Sequence, residues 1–404
     1  MNSLVKLILN KILKRKKLIK YQNPFFIGTE FKNIRSTIKS KELVGPDNFI
    51  KKCELLLEKQ LSCKKVLLTA SGTDALEMAC ILAEFSKDDE IIIPSYNFPS
   101  AATSIIRCGA TPVFVEVNSY DMNISLKSIQ NAITSKTKGI ILTHYAGVSA
   151  QTYEIMNIAN MNNLIVIEDA AQAIYSKNKD KCLGTIGHLG VLSFHQTKNV
   201  FCGEGGALLI NNKEFISRAH IIREKGTNRS EFLEGKINKY SWVDQGSSFL
   251  PSSLQAAFLY EQLQNGTKIN EKRRLIFENF HNFFSKISKK YNNIKIPFIP
   301  EYNRVNGHFY WILVPKKMRN KFIEKAKLNL IELTTHFEPL HSSKAGKNYG
   351  KSYEELKKTQ LLSEQIVRIP IHTQMTKSEQ KLVLNILTKT IAECFDQNVL
   401  SKTL

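Results

Sequence analysis

A chain of 404 residues is too long for one hydrophobic core, since single cores stop growing near roughly 250–300 residues, so two domains are expected. With 43% hydrophobic and 23% charged residues it has a soluble globular make-up, which excludes disordered and collagenous classes, and no apolar run nears the roughly 18 residues a bilayer span needs. The net charge of +21 favours anionic small substrates, but without a recognisable module or interleaved aromatics it does not imply a nucleic-acid partner.

The first twenty residues carry seven Lys/Arg and no acid, with Leu4, Val5, Ile8, Leu9, Ile12 and Leu13 at helical spacing. The run lacks the longer apolar stretch and small-residue end of a secretory signal. It reads either as a solvated extension or as a basic amphipathic helix making weak contact with an anionic membrane surface. Seven cysteines, at 53, 63, 80, 108, 182, 202 and 394, form no C-x-x-C pair. Their odd number and scatter point away from a disulfide framework and from a zinc site or other metal centre, and toward a reducing cytoplasm.

From about residue 62 short apolar strands alternate with helices. The strands read as Val66–Thr69, Glu90–Pro94, Pro112–Val117, Gly139–Thr143, Leu164–Glu168, Val191–Phe194 and Ala207–Ile210. Helices are expected over Asp74–Phe85, Tyr153–Met161 and Pro251–Leu263. This alternation requires crossover connections, hence a mostly parallel seven-stranded sheet in an α/β large domain. After about residue 275 the chain turns Lys/Asn-rich, and a smaller C-terminal α+β domain is expected. The domains are taken as a basic extension over 1–22, a large domain over 23–275 and a small one over 276–404.

Ligands of open parallel sheets bind beyond the carboxyl ends of the strands. Ser71-Gly72-Thr73, Ser95–Phe98, His144–Gly147, Asp169–Gln172 and His195–Lys198 all fall there. Ser71-Gly72-Thr73 follows a strand and opens a helix, so it suits a phosphate, although an ordinary N-cap has the same residues. Asp169, at a strand tip, needs a cationic partner or must cap the next helix. A protonated pyridine nitrogen is such a partner, and Gln172 can then reach the phenolic oxygen of the same ring. Lys198, on a loop closed by Gly203 to Gly206, can form a Schiff base with an aldehyde cofactor once its pKa falls. Together these groups are what pyridoxal 5'-phosphate requires.

The stretches SGTDAL, IIIPSYNF, GATPVFVEV, IEDAAQA, LGTIGHLGVLSFHQTKN and GEGGALLI resemble the DegT/DnrJ/EryC1/StrS family of sugar-nucleotide aminotransferases, over roughly residues 24–390. The resemblance implies the type I pyridoxal-phosphate-dependent transferase fold. It implies Lys198 as the catalytic lysine that carries the cofactor and shuttles the proton. Asp169 would meet the pyridinium nitrogen and Gln172 the ring hydroxyl. Gly72, Thr73 and Ser193 would hold the phosphate, and Phe98 would stack on the ring. Ser248 stands where many members place an Asn that reaches the neighbouring subunit's phosphate, which implies a homodimer.

The stretches IIREKGTNRSEFLEG and NKYSWVDQGSSFLPSSLQAAFLYEQL look like the subgroup that makes dTDP-4-amino-4,6-dideoxygalactose for surface polysaccharides. The implied substrates are a nucleotide-diphosphate keto sugar, dTDP-4-keto-6-deoxy-D-glucose, and L-glutamate as amino donor. Other regiochemistry or stereochemistry, and a non-catalytic cofactor-binding relative, remain open alternatives. Arg223, Lys225, Arg229, His336 and His341 are further candidates for donor carboxylate or diphosphate, with packing roles equally open, and Tyr96 is expected to pack.

Overall fold

The computed structural model describes residues 18–395 except 42 and 44–47. The basic stretch at residues 1–17 therefore lies outside the described residues. The strands in chain order are β1 (Lys65–Thr69), β2 (Glu90–Pro94), β3 (Thr111–Val115), β4 (Thr137–Thr143) and β5 (Ile165–Asp169). Then come β6 (Lys177–Asn178), β7 (Lys181–Cys182), β8 (Leu189–Ser193), β9 (Gly206–Ile210), β10 (Asn303–Arg304), β11 (Tyr310–Leu313) and β12 (Ile366–Ile369).

Seven of these form one sheet in the order β1-β9-β8-β5-β4-β2-β3. β9 runs antiparallel to both neighbours, while β3, β2, β4, β5 and β8 are mutually parallel. The sheet is apolar on both faces because helices cover both. Alternate residues serve opposite faces. Leu67, Ile91, Ile93, Ile141, Ile167 and Leu208 pack with the helices Gly72–Leu82, Pro99–Arg107 and Ile216–Arg223. On the other face, Val66, Leu68 and Leu209 meet helices Asn48–Leu61 and Ser253–Gln264. Beside them Ile92, Ile140 and Val166 meet Leu126–Ala132 and Thr152–Met161.

Helix Gly266–Lys290 leads to the C-terminal region, and the change of composition near residue 275 falls inside it. Its Ile276, Phe277, Phe280 and Phe284 repeat at three- and four-residue intervals and are buried. They pack with the antiparallel pair β11–β12 and helices Lys316–Leu328 and Lys377–Phe395. Ile19 belongs to the same core, and its backbone exchanges hydrogen bonds with Leu330 (2.9 Å) and Glu332 (3.0 Å). No described helix is long and apolar enough to cross a membrane.

Candidate active site

The carboxyl ends of β1, β5 and β8 open into a cavity of about 560 Å³. Gly72, Thr73, Phe98, Asp169, Gln172, Ser193 and Lys198, which the sequence singles out from separated motifs, all line it. Ser248 does not; it is exposed and bridged to Glu224 on the same chain.

The loop from β8 to β9 fixes Lys198. Lys198 N donates to His195 O (2.8 Å), Gln196 N to Gly203 O (2.8 Å) and Phe194 N to Gly205 O (2.7 Å). Gly203 makes the return with φ +89°, a conformation side-chain-bearing residues avoid. The Lys198 side chain has no hydrogen bond or ion pair among the described residues. Burial lowers its ammonium to about 8; Asp169 opposes that shift and Arg368 adds to it.

Glu168 and Asp169 are adjacent on β5 and so point to opposite sides. Glu168 is fully buried and turned away from the cavity lining. It accepts from Gly184 N (3.0 Å), Ile186 N (2.6 Å) and Gly187 N (2.5 Å). His144 Nδ1 accepts from Ala150 N (3.2 Å), so Nε2 carries the proton donated to Glu168 (2.8 Å). Asp169 faces the cavity and accepts from Ala171 N through Oδ1 (3.1 Å). Burial raises its carboxyl, and the Ala171 bond, Lys198 and His144 each oppose this. A turn, not a helix, follows Asp169, so it caps nothing. Gln172 is held by donation from Ala146 N to Oε1 (2.8 Å).

At the other end, helix Gly72–Leu82 begins. Ser71 is its N-cap, accepting from Asp74 N (3.0 Å), so this hydroxyl serves the helix. Thr73 Oγ1 shares a hydrogen bond with Ser100 (2.7 Å). A Cβ on Gly72 would lie 2.9 Å from Ser193 Cβ, so only glycine lets the two segments close on the cavity. The unpaired amides of the first turn attract an anion.

The C-terminal region supplies residues that sequence reading missed or left open. His308 Nδ1 faces Asn199 Oδ1 (3.0 Å), whose Nδ2 donates to Asn270 Oδ1 (2.8 Å). Nδ1 of His308 is therefore the protonated nitrogen, and burial holds the ring well below the usual histidine range. The buried guanidinium of Arg273 fixes that segment through Gly307 O (3.1 Å), His308 O (2.5 Å) and Ile371 O (3.0 Å). His336 also lines the cavity, bonded to Tyr145 (2.7 Å) and stacked on Phe337. Arg368 is the arginine of the lining, with its guanidinium 4.5 Å from the Tyr21 ring and Nε on Thr335 O (2.9 Å). No motif marks it, because β12 is remote in sequence; a lone arginine in an apolar strand was the available signal.

Other candidates lie elsewhere. Arg223 is buried against Glu54 (2.5 Å), Arg229 pairs with Glu224 (2.9 Å), and His341 bonds Ser95 (2.6 Å) outside the cavity lining. Lys225 is exposed and also outside it. Tyr96 packs against Tyr145 and Phe337.

An anion cradle, a buried carboxylate with room for a cation, a ring-stacking face and a lysine without a partner fit pyridoxal phosphate residue by residue. The comparisons agree. The model of the DegT/DnrJ/EryC1/StrS aminotransferase family matches residues 26–388. An uncharacterized protein of Methanocaldococcus jannaschii is 30% identical over 374 residues, 90% of this chain and 95% of that one. GDP-perosamine synthase of Escherichia coli O157:H7 is 26% identical over 348 residues, 84% of this chain and 89% of that one. The crystal structure of a DegT/DnrJ/EryC1/StrS aminotransferase from Brucella abortus superposes with a TM-score of 0.81 at 25% identity, covering 89% and 94% of the two chains. The chain belongs to the DegT/DnrJ/EryC1/StrS aminotransferase family and is a pyridoxal-phosphate-dependent enzyme of the type I fold.

Proposed function

We propose that the protein moves the amino group of L-glutamate onto C4 of dTDP-4-keto-6-deoxy-D-glucose, giving dTDP-4-amino-4,6-dideoxy-D-galactose and 2-oxoglutarate. The observation that carries the aminotransfer is the meeting of Lys198, Asp169 and the amino end of helix Gly72–Leu82 in one cavity. The narrower substrate rests on the stretches around Ile221–Gly235 and Asn238–Leu263.

When bound, pyridoxal phosphate supplies an electrophilic carbon for the amine and a sink for the electrons left when the donor's α-proton departs. The chain's own groups do the rest. Lys198 would carry the cofactor and, once released, its neutral amine would take up the proton that leaves the donor α-carbon. Its lowered pKa leaves a large neutral fraction near neutral pH. Asp169 would keep the ring nitrogen protonated, and that cation would offset the cost of burying the carboxylate. Gln172 would reach the ring hydroxyl, while Gly72, Thr73 and Ser193 would hold the phosphate. Phe98, 57% exposed at the cavity, offers a face to the ring. Arg368 takes an anionic group, the donor carboxylate or the diphosphate.

Ser248, exposed and outside its own cavity, is read as reaching the phosphate of a second copy. The enzyme is then a homodimer with composite sites, and a monomer by sedimentation under assay conditions would reject this. Nucleotide sugars and glutamate are charged and do not diffuse through bilayers, so the reaction is placed in the cytoplasm.

The similarity to a GDP-perosamine synthase favours a second reading, a GDP-linked keto sugar. The test is to incubate the loaded enzyme with L-glutamate and each keto sugar and to resolve the product by NMR. An axial 4-amino group on the dTDP sugar is expected. An equatorial one, or turnover of the GDP sugar alone, replaces the substrate assignment. Lys198→Ala should abolish turnover while leaving the fold intact, and activity in that variant would overturn the aminotransfer scheme.

A further inference from the structure

We propose that Cys80 and Cys108 form a reversible disulfide on exposure to a hydroperoxide, with Cys108 meeting the oxidant and Cys80 closing the bond. All seven cysteines are free in this structure. Cys80 lies in the last turn of helix Gly72–Leu82 and is fully buried, while Cys108 is the C-cap of helix Pro99–Arg107 and is half-buried. Both belong to the apolar packing between these two helices. Their side chains are hydrogen-bonded to each other.

A second contact fixes the same junction. Residues three apart on a helix share a face, so Glu77 stands one turn before Cys80 on that face. Glu77 pairs with Arg107, the chain neighbour of Cys108 (3.0 Å). At the opposite end of the two helices Thr73 Oγ1 meets Ser100 Oγ (2.7 Å). The helices are therefore tied at both ends, and the two sulfurs are kept together. A disulfide there puts a covalent bond between atoms that already touch, which is the geometric condition a bridge has to meet.

The two thiols differ in the way the chemistry requires, since the thiolate is the nucleophile. The hydrogen bond from Cys80 lowers the Cys108 thiol; burial and Glu77 oppose that shift and Arg107 adds to it. The same bond, burial and Glu77 hold the Cys80 thiol well above the usual range. The Cys108 sulfur attacks one peroxide oxygen and the O–O bond breaks. The sulfur is oxidised to a sulfenic acid, and the departing hydroxide takes up a proton as water. The Cys80 sulfur then attacks Cys108 Sγ, the S–O bond breaks, and a second water leaves with the Cys80 proton. Two thiols and one peroxide thus give one disulfide and two waters. Closure stops Cys108 short of the irreversible sulfinic acid. Neither cysteine lines the active cavity, so aminotransfer does not depend on the pair.

The test is to treat the loaded enzyme with hydrogen peroxide, then count free thiols and map peptides by mass spectrometry. The natural sequence is expected to lose the Cys80 and Cys108 thiols together, to yield their two peptides cross-linked, and to recover both thiols in dithiothreitol. Cys108→Ser should leave Cys80 reduced. Cys80→Ala should leave Cys108 as a sulfenic acid that dimedone captures, and then as a sulfinic acid that dithiothreitol does not reverse. Cofactor absorbance unchanged in both variants reports an intact fold. Absence of the cross-linked peptide, pairing of either residue with a different cysteine, or oxidation of Cys80 in Cys108→Ser overturns the proposal.

Discussion

Burial, more than any neighbouring charge, lowers the Lys198 ammonium to about 8. The neutral amine is the nucleophile, and a lowered pKa makes it available at lower pH. Capture of pyridoxal phosphate by the apoprotein should therefore speed up with rising pH and level off above about 8. A rate still climbing toward the range of an ordinary lysine, followed by cofactor absorbance in stopped flow, would contradict this. The adjacent acids separate by role. Under the proposed role, Asp169→Asn keeps the shape but removes the charge that would hold a ring nitrogen protonated, and should cost roughly 100-fold in kcat with little change in Tm. Glu168→Gln sets an amide NH₂ against backbone N–H or imidazole N–H donors, and should cost roughly 2–3 kcal/mol of stability in urea unfolding. If both variants lost activity and stability alike, this division would fail. Local pattern already set Asp169 at the ligand end of the strand; what the structure adds is where its neighbour goes, with the 184–187 loop donating its amides to Glu168 on the other side.

Among the elements, β9 decides whether the cradle closes. It lies between β1 and β8, antiparallel to each, and sets Gly206 opposite both Thr69 and Ser193. A Cβ there would come 2.3 Å from Ser71 O and 2.6 Å from Gly72 N, which are backbone atoms that cannot swing aside. Gly206→Ala should push the Ser71–Gly72 turn off β8, weaken cofactor binding by about tenfold and lower stability by roughly 1–3 kcal/mol. Dialysis against pyridoxal phosphate with a thermal melt checks both, and an unchanged variant would show the turn to be more yielding than its packing. The seven strands were legible in sequence because strands covered on both faces are short apolar runs between turn signals. Their ends moved by one or two residues: the third runs Thr111–Val115 where Pro112–Val117 was read, and the sixth Leu189–Ser193 where Val191–Phe194 was read. Hydrogen bonding to the neighbouring strand sets an end, and a neighbour is not visible in a local window.

Across the whole molecule, the cavity is completed by the C-terminal region. His308, His336 and Arg368 come from segments more than a hundred residues beyond Lys198, and Arg273 holds one of them through three carbonyls. Arg368→Ala should raise the KM of one anionic substrate by about tenfold with a smaller effect on kcat. Steady-state kinetics with donor and sugar varied in turn would say which, and unchanged KM values for both would remove Arg368 from substrate binding. The sequence alone determined the parallel α/β domain, the cofactor and the large-domain residues that the fold brings together in one cavity. Those features are local: short continuous apolar runs, glycines at a turn, and polar residues at strand ends, each legible within about ten residues. Only the tertiary structure decided that Arg223 and Arg229 are tied up in ion pairs away from the cavity, that Ser248 stands outside its own cavity, and that Arg368 and His308 stand inside. A side chain's freedom depends on which distant segment packs against it, and no spacing along the chain encodes that contact.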